Sequence, residues 1–513
     1  MEYVLIFVAT LIASAILRLI VILANIAWFR QGYVGDSSVH IEIIKQLKID
    51  SHSIKIQKYL LPNTMSYPVG FHRLVRYLPI DIIEKYNWIP NLVIFSVFTA
   101  IYVVYVRYIE LALLQEDGWE IILIVLFYFY LSISNLVFYG PAIAYIKLSE
   151  RLLARMSCSL YFLSLTAWFI WADWISAVLS MIFCAITLVT STFGVQVILF
   201  STIVLSLLFL TISNIAIVLI GLVLSVLLSR GYILTSLIHT VRYWRIYKLF
   251  VKKGASQNAA LSRYINPAVL ISFLKQKKYG RAIGQCITKE PVRAMLFYPE
   301  LLVLGILVPY IPVEISIQLV LVVISILILY LITSTEKLNH LGEAYRYIEY
   351  SLYMIFPIIA AIAYKHSPPW LFWFVSMFYA VYGVGSACVF YGVYMRRNSL
   401  PDSDKLLGFL KKAEIDEKSV VFPVSMRLGA DVCARVGCKT FWWQPGGITE
   451  PAMYERYIEE YPFLKKDYAV FVKKYGVTHV VCEKAALSKI NWQYDFSKLR
   501  KILEDDNYIA YIV

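Results

Sequence analysis

Charge is what this sequence has least of. Only 16% of its 513 residues are Asp, Glu, Lys or Arg, against roughly a quarter in a soluble protein. That scarcity excludes a string of two to four soluble domains, the usual content of such a length. The seven cysteines and seven histidines form no CxxC or HxxxH grouping, so there is no metal-site signature. A divalent cation is left without an identifiable ligand set, and the cofactor is unknown. No nucleophile elbow, Walker loop or Rossmann fingerprint occurs. Nor are there alternating ten-residue strands of the outer-membrane barrel kind.

What is there is apolar: 60% hydrophobic and 15% aromatic residues. The charge is also unevenly placed. From residue 401 onward the chain holds 17 Lys+Arg and 16 Asp+Glu, while the first 400 residues hold 31 and 18. The expected fold is a polytopic α-helical membrane domain, residues 1–394, followed by a small soluble α/β domain, 395–513. A crossing helix needs about 20 mostly apolar residues. Eleven segments meet or approach this: 3–29, 90–112, 119–139, 157–172, 174–192, 195–212, 213–229, 294–312, 315–333, 350–365 and 370–394. The first is too long for a signal-peptide core and no cleavage site follows it, so it reads as retained.

An odd number of crossings puts loops 30–89, 140–156, 230–293 and 334–349 and the tail on one face. Nearly every residue free to form a site lies there, as an enzyme acting on a lipid-linked substrate would need. Uneven loops without catalytic meaning are the plain alternative. Loop 230–293 carries 13 Lys+Arg against Glu290 alone, which by the positive-inside rule makes this face cytoplasmic. Segments 241–253 and 269–281 mix aromatic or apolar residues with basic ones, as interfacial segments do. They suit a lipid phosphate and generic anionic lipid equally. No recognition element makes nucleic acid a partner.

In the first loop, Asp36 follows the first helix closely and Val39, Ile43, Ile44 and Leu47 mark a short amphipathic helix that Asp36 or Ser37 could cap. Beyond it, Pro68 and Gly70 turn into a second short helix bearing Phe71, His72 and Leu74. Together Asp36, His40, Tyr67, Pro68, Gly70 and His72 form a D-x-x-x-H and Y-P-x-G-x-H pattern. It resembles the membrane-embedded glycosyltransferases of the C superfold, the group of dolichyl-phosphate-mannose-dependent mannosyltransferases (family 39-like) and uncharacterised prokaryotic relatives. Gly342, Glu343, Arg346, Tyr347 and Glu349 resemble a G-E-A-x-R-Y-x-E-Y block in such relatives. At three-residue spacing Glu343, Arg346 and Glu349 also read as a surface ladder of charges.

The resemblance implies an essential carboxylate at Asp36, an N-terminus in the cytoplasm, and both Asp36 and the tail outside. That orientation opposes the charge rule. The tail departs from the oligosaccharyltransferase pattern, since Trp442 and Trp443 precede Gln444 rather than Asp. Within the tail, helices are expected at 406–412, 426–436 and 464–475, and strands at KSVVFPV, CKTFWW and VTHVVCEK, giving a mostly parallel sheet. Cys433 and Cys438 are spaced so that a bridge is permitted but not predicted. QPGG, residues 444–447, reads as a contact loop.

The favoured function is sugar transfer from a polyprenyl or dolichyl phosphate or pyrophosphate donor to a glycan or protein acceptor at the cell membrane. Asp36 is the expected base, with Glu343 orienting Arg346. Arg346, Arg242 and Arg245 are placed on the phosphate, and His40, Tyr67 and His72 on substrate. A non-enzymatic flippase or scaffold, and a polymerase or ligase of envelope polysaccharide, remain open. The near absence of mid-membrane charge apart from Arg18 counts against transport.

Overall fold

The computed structural model describes residues 1–24, 36–50, 56–60, 68–114, 119–138, 148–252, 267–282, 298–334, 338, 341, 344–389, 403–424, 428–441, 468–487 and 496–513. Helix α1 (Glu2–Ala24) leads to a first loop with α2 (Asp36–Ile49), α3 (Gly70–Val75) and α4 (Ile80–Lys85). The bundle continues with α5 (Ile89–Tyr108), α6 (Glu120–Phe138), α7 (Arg151–Trp171), α8 (Trp174–Thr190), α9 (Thr192–Phe209) and α10 (Ser213–Ser229). Next come α11 (Tyr232–Lys252), α12 (Pro267–Lys275), α13 (Glu300–Leu307), α14 (Val313–Thr333), α15 (Tyr345–Ser351), α16 (Ile355–His366) and α17 (Pro369–Val389).

Each of the eleven apolar segments contains a helix. Among the described residues, five helices are long and apolar enough to cross a membrane, or up to seven if each bent pair is one span. Others, such as Trp174–Thr190, fall short of the roughly 20 residues of a straight crossing. The chain is a membrane protein by this measure; eleven crossings are not reached on it.

Local chemistry explains the turns. Asp173, the one charge between α7 and α8, accepts from the Ser176 amide at 2.7 Å and the Ser176 hydroxyl at 2.6 Å. It is therefore a side-chain cap for α8. Helix α11 leaves α10 at 119° after Arg230 and Gly231, both at positive φ. The basic stretch 241–253 thus belongs largely to a longer helix than its aromatic and basic residues alone defined. Its Trp244 packs on Phe200 of α9, ring centroids 5.4 Å apart.

In the tail, α18 (Ser403–Lys412), β1 (Val420–Val424), α19 (Leu428–Val436), β2 (Lys439–Thr440), α20 (Tyr468–Tyr475), β3 (His479–Glu483), α21 (Lys484–Leu487), β4 (Arg500–Glu504) and β5 (Tyr508–Ile512) follow. The sheet order is β2-β1-β3-β5-β4. Strand β1 is parallel to β2 and β3, whereas β5 is antiparallel to β3 and β4. The expected mostly parallel sheet is thus mixed, because a C-terminal hairpin adds two strands. Gly437 and Gly476 end α19 and α20 at positive φ, as glycine at a helix end does. Cys433, Cys438 and Cys482 are buried free thiols, so the permitted bridge is not formed. Burial raises all three thiols, Cys438 and Cys482 to about 12.

Helix α2 is the joint between bundle and tail. Ile41 and Ile44 enter the large bundle core, while Val39, Ile43 and Leu47 pack with Ala430 and Cys433 of α19. The Ser38 hydroxyl donates to the buried Asp431 carboxylate. Two backbone bonds, Leu60 N–H to the Thr440 carbonyl at 2.8 Å and Thr440 N–H to the Lys58 carbonyl at 2.9 Å, extend the tail sheet with first-loop residues. The expected short amphipathic helix is therefore covered on two sides.

Candidate functional site

Asp36 begins α2, where the helix N-terminus favours an anion; its side chain lies outside the described residues. The Ser37 hydroxyl donates to the Leu148 carbonyl at 3.4 Å and so ties α2 to the start of α7 instead of capping α2. One turn after Asp36 stands His40, on the same helical face at four-residue spacing. His40 Nδ1 meets His72 Nε2 at 2.8 Å, and His40 Nε2 meets Glu150 Oε2 at 3.0 Å. A line Glu150–His40–His72 therefore joins three chain segments beneath the Asp36 turn.

All three side chains are buried, His72 completely. The His72 ring faces His40. Gly70 explains how α3 gets close enough. A Cβ at that position would stand 2.8 Å from the Val189 carbonyl oxygen of α8, so any larger residue would push the helix away. That is the physical content of the Y-P-x-G-x-H spacing.

Burial, then the neighbouring His40, lower the His72 imidazole from its usual value to about 3, against an opposing pull from Glu150. A histidine lowered in the fold supports it fully above the unfolded value of about 6.5. That support is lost as pH falls towards the folded value. The melting temperature of the detergent-solubilised protein should therefore fall as pH drops from about 6.5 towards 4. His72→Gln should flatten that dependence. An unchanged slope in the variant would assign acid sensitivity elsewhere.

Deeper in the bundle, Arg155 of α7 and Glu349 of α15 form a fully buried ion pair. The Tyr350 ring lies 6.0 Å from the Arg155 guanidinium. Arg346 also stands over the Phe193 ring at 5.4 Å. Glu349 of the proposed charge ladder is thus a core residue, not a surface one.

Tyr67, Gly342, Glu343, Trp442, Trp443 and residues 444–447 lie outside the described residues, as do the side chains of Arg242 and Arg245 on α11. Glu150 and Arg155 fall in residues 140–156, which hydropathy alone reads as loop. Their signal was the KLSERLLARM border, where charges recur at helical spacing before an apolar run. The apolar segments also carry charge near their ends. Buried Arg107 meets Glu110 at 2.9 Å and Glu2 at 2.9 Å, while Arg18 lies 5.5 Å from the Phe95 ring. These charges have protein partners, so they remain poor markers of a transport path. Among the described residues, no three His, Cys, Asp or Glu side chains converge as a metal-holding group.

The fold is similar to that of ArnT from Cupriavidus metallidurans in the apo state, at 12% identity and TM-score 0.54, over 98% of each chain. At this identity the likeness is one of fold. A second similar structure is the archaeal oligosaccharyltransferase AglB from Archaeoglobus fulgidus, solved with an inhibitory peptide and a dolichol-phosphate. The identity is 11% and the TM-score 0.44, covering 93% of this chain and 69% of that one. No family model and no curated protein matches the chain.

Proposed function

We propose that the protein transfers a sugar from a polyprenyl or dolichyl phosphate or pyrophosphate to a glycan or protein acceptor at the membrane surface. The observation that carries the reading is Asp36 at the head of α2, one turn from His40 in the Glu150–His40–His72 line. Helix α2, which carries Asp36, is anchored to both the bundle and the tail, as the backbone bearing a catalytic base must be. The acceptor oxygen attacks the anomeric carbon, its proton passes to Asp36, and the lipid phosphate departs with the bond electrons. Cationic side chains on this face, Arg346, Arg242 and Arg245 among them, neutralise that leaving group. Glu343 orients Arg346, while Tyr67 and His40 contact the sugar.

In this reading the chain divides at 394/395 into membrane and soluble parts. The N-terminus lies in the cytoplasm, with the first loop and tail outside. The deciding assay is transfer of labelled sugar from a lipid-phosphate donor by purified protein in one detergent. Absence of transfer with every donor class would end the enzyme reading. Orientation is tested by cysteine substitution at Ser51, Ser256 and Ser488. All three should label from outside in intact cells. Labelling from inside would restore the charge rule, and labelling from opposite sides would break the single-face arrangement.

A further inference from the structure

In the first turn of α2, Ser37, Ser38 and His40 each bind a different part of the chain. Ser37 reaches the Leu148 carbonyl, and His40 reaches Glu150 and His72. Ser38 turns to the tail, where its hydroxyl donates to the Asp431 carboxylate of α19. Both of those side chains are buried. Ser38 stands roughly 100–140° around the helix from Val39 and Ile43, and roughly 60–120° from Ile41 and Ile44. It therefore lies off both apolar stripes. Apolar packing is non-directional and lets a helix slide or turn about its axis. A hydrogen bond to a charged acceptor on a third side resists both. Asp431 itself has a fixed base. A Cβ at Gly429, two residues earlier, would strike the Phe441 carbonyl, so glycine there lets α19 press against the end of β2.

We propose that Asp431 is a positioning residue for the transfer step: acting through Ser38, it holds the first turn of α2, and with it Asp36, from the tail side. The first four N–H groups of a helix have no acceptor within it, so that turn depends on outside contacts for its order. Asp36 opens it. A displacement of about 1 Å at a reacting group can cost roughly a hundredfold in rate. A pin two residues away thus has leverage on the chemistry while touching no substrate. The inference rests on the proposed function, and it gives the soluble tail a part in catalysis without any chemistry of its own. A second tie between first loop and tail, the pairing of Lys58 and Leu60 with Thr440, lies outside α2. It should keep the tail docked when the Ser38–Asp431 bond is removed, so docking and positioning can be separated.

The test reads the full-length protein in one detergent in two ways, by sugar transfer and by hydrogen exchange of the α2 amides 40–44. Ser38→Ala and Asp431→Ala should each lower kcat roughly ten- to a hundredfold and leave the KM for lipid-phosphate donor unchanged. Each should also speed exchange in α2 while β1 and β3 keep their protection. Asp431→Asn, which still accepts from Ser38, should restore most of both. The Ser38→Ala/Asp431→Ala double variant should be no worse than either single one. Glu504→Ala, whose partners Lys484 and Lys501 lie within the tail at 2.8 Å, should change neither readout. Wild-type exchange or wild-type kcat in the Ser38→Ala variant would overturn the positioning role. So would additive losses in the double variant, a raised KM with unchanged kcat, or an equal loss in Glu504→Ala, which would mark a general weakening of the tail. The exchange readout needs no donor, so failure of the Ser38–Asp431 link and failure of the enzyme reading give different results.

Discussion

Asp36→Asn should lower sugar transfer by roughly 10²–10⁴ while leaving expression, melting temperature and lipid-phosphate binding near those of the wild type. Asn keeps the size and much of the hydrogen bonding. What it removes is a negative charge at the first position of α2, which contributes only about 0.3–1 kcal/mol to a helix end. A purely structural Asp36 would therefore show that small loss and no kinetic one. His40→Ala makes the contrast. It breaks the contacts to both His72 and Glu150 and leaves a buried carboxylate without its imidazole, so it should lower stability as well as rate. The comparison is made with labelled donor, in one detergent and at matched protein. Equal turnover by wild type and Asp36→Asn would remove the base and most of the proposed mechanism.

The position of Asp36 and its histidine was legible because both lie in one short segment with a recognisable spacing. The environment was not. Val39, Ile43 and Leu47 read as an apolar stripe, yet Ala430 and Cys433 of their cluster come from α19 in the tail. Ser38 and Asp431 are separated by 393 positions, and no local periodicity can report such a pair. The same limit explains Glu150, which means nothing until His40 is folded against it. The membrane helices were legible since crossing a bilayer demands long apolar runs. Their starts were less so: α7 begins at Arg151 and not at 157, because a basic residue paired inside the protein lowers hydropathy just as a solvated one does. The β4–β5 hairpin was missed although RKILEDDNYIAYI carries polar turn residues between two short strands. Its alternation is brief, and charges on β4 hid it.

The Arg155–Glu349 pair should give the largest stability change. Taking ions out of water is costly, and removing one partner typically costs about 3–5 kcal/mol, because the other charge remains buried. Arg155→Met should therefore leave a weakly stable protein. Replacing both members by methionine removes both charges together and should recover most of that loss. The double-substitution cycle, read as melting temperature in one detergent, separates the pair from simple packing defects. Additive losses would show that the two side chains do not depend on each other. The recovered double variant also bears on function. The Tyr350 ring lies 6.0 Å from Arg155, so a well-folded double variant that binds lipid phosphate yet transfers sugar slowly would mark the pair as positioning residues. One with normal turnover would leave it a structural clamp between α7 and α15.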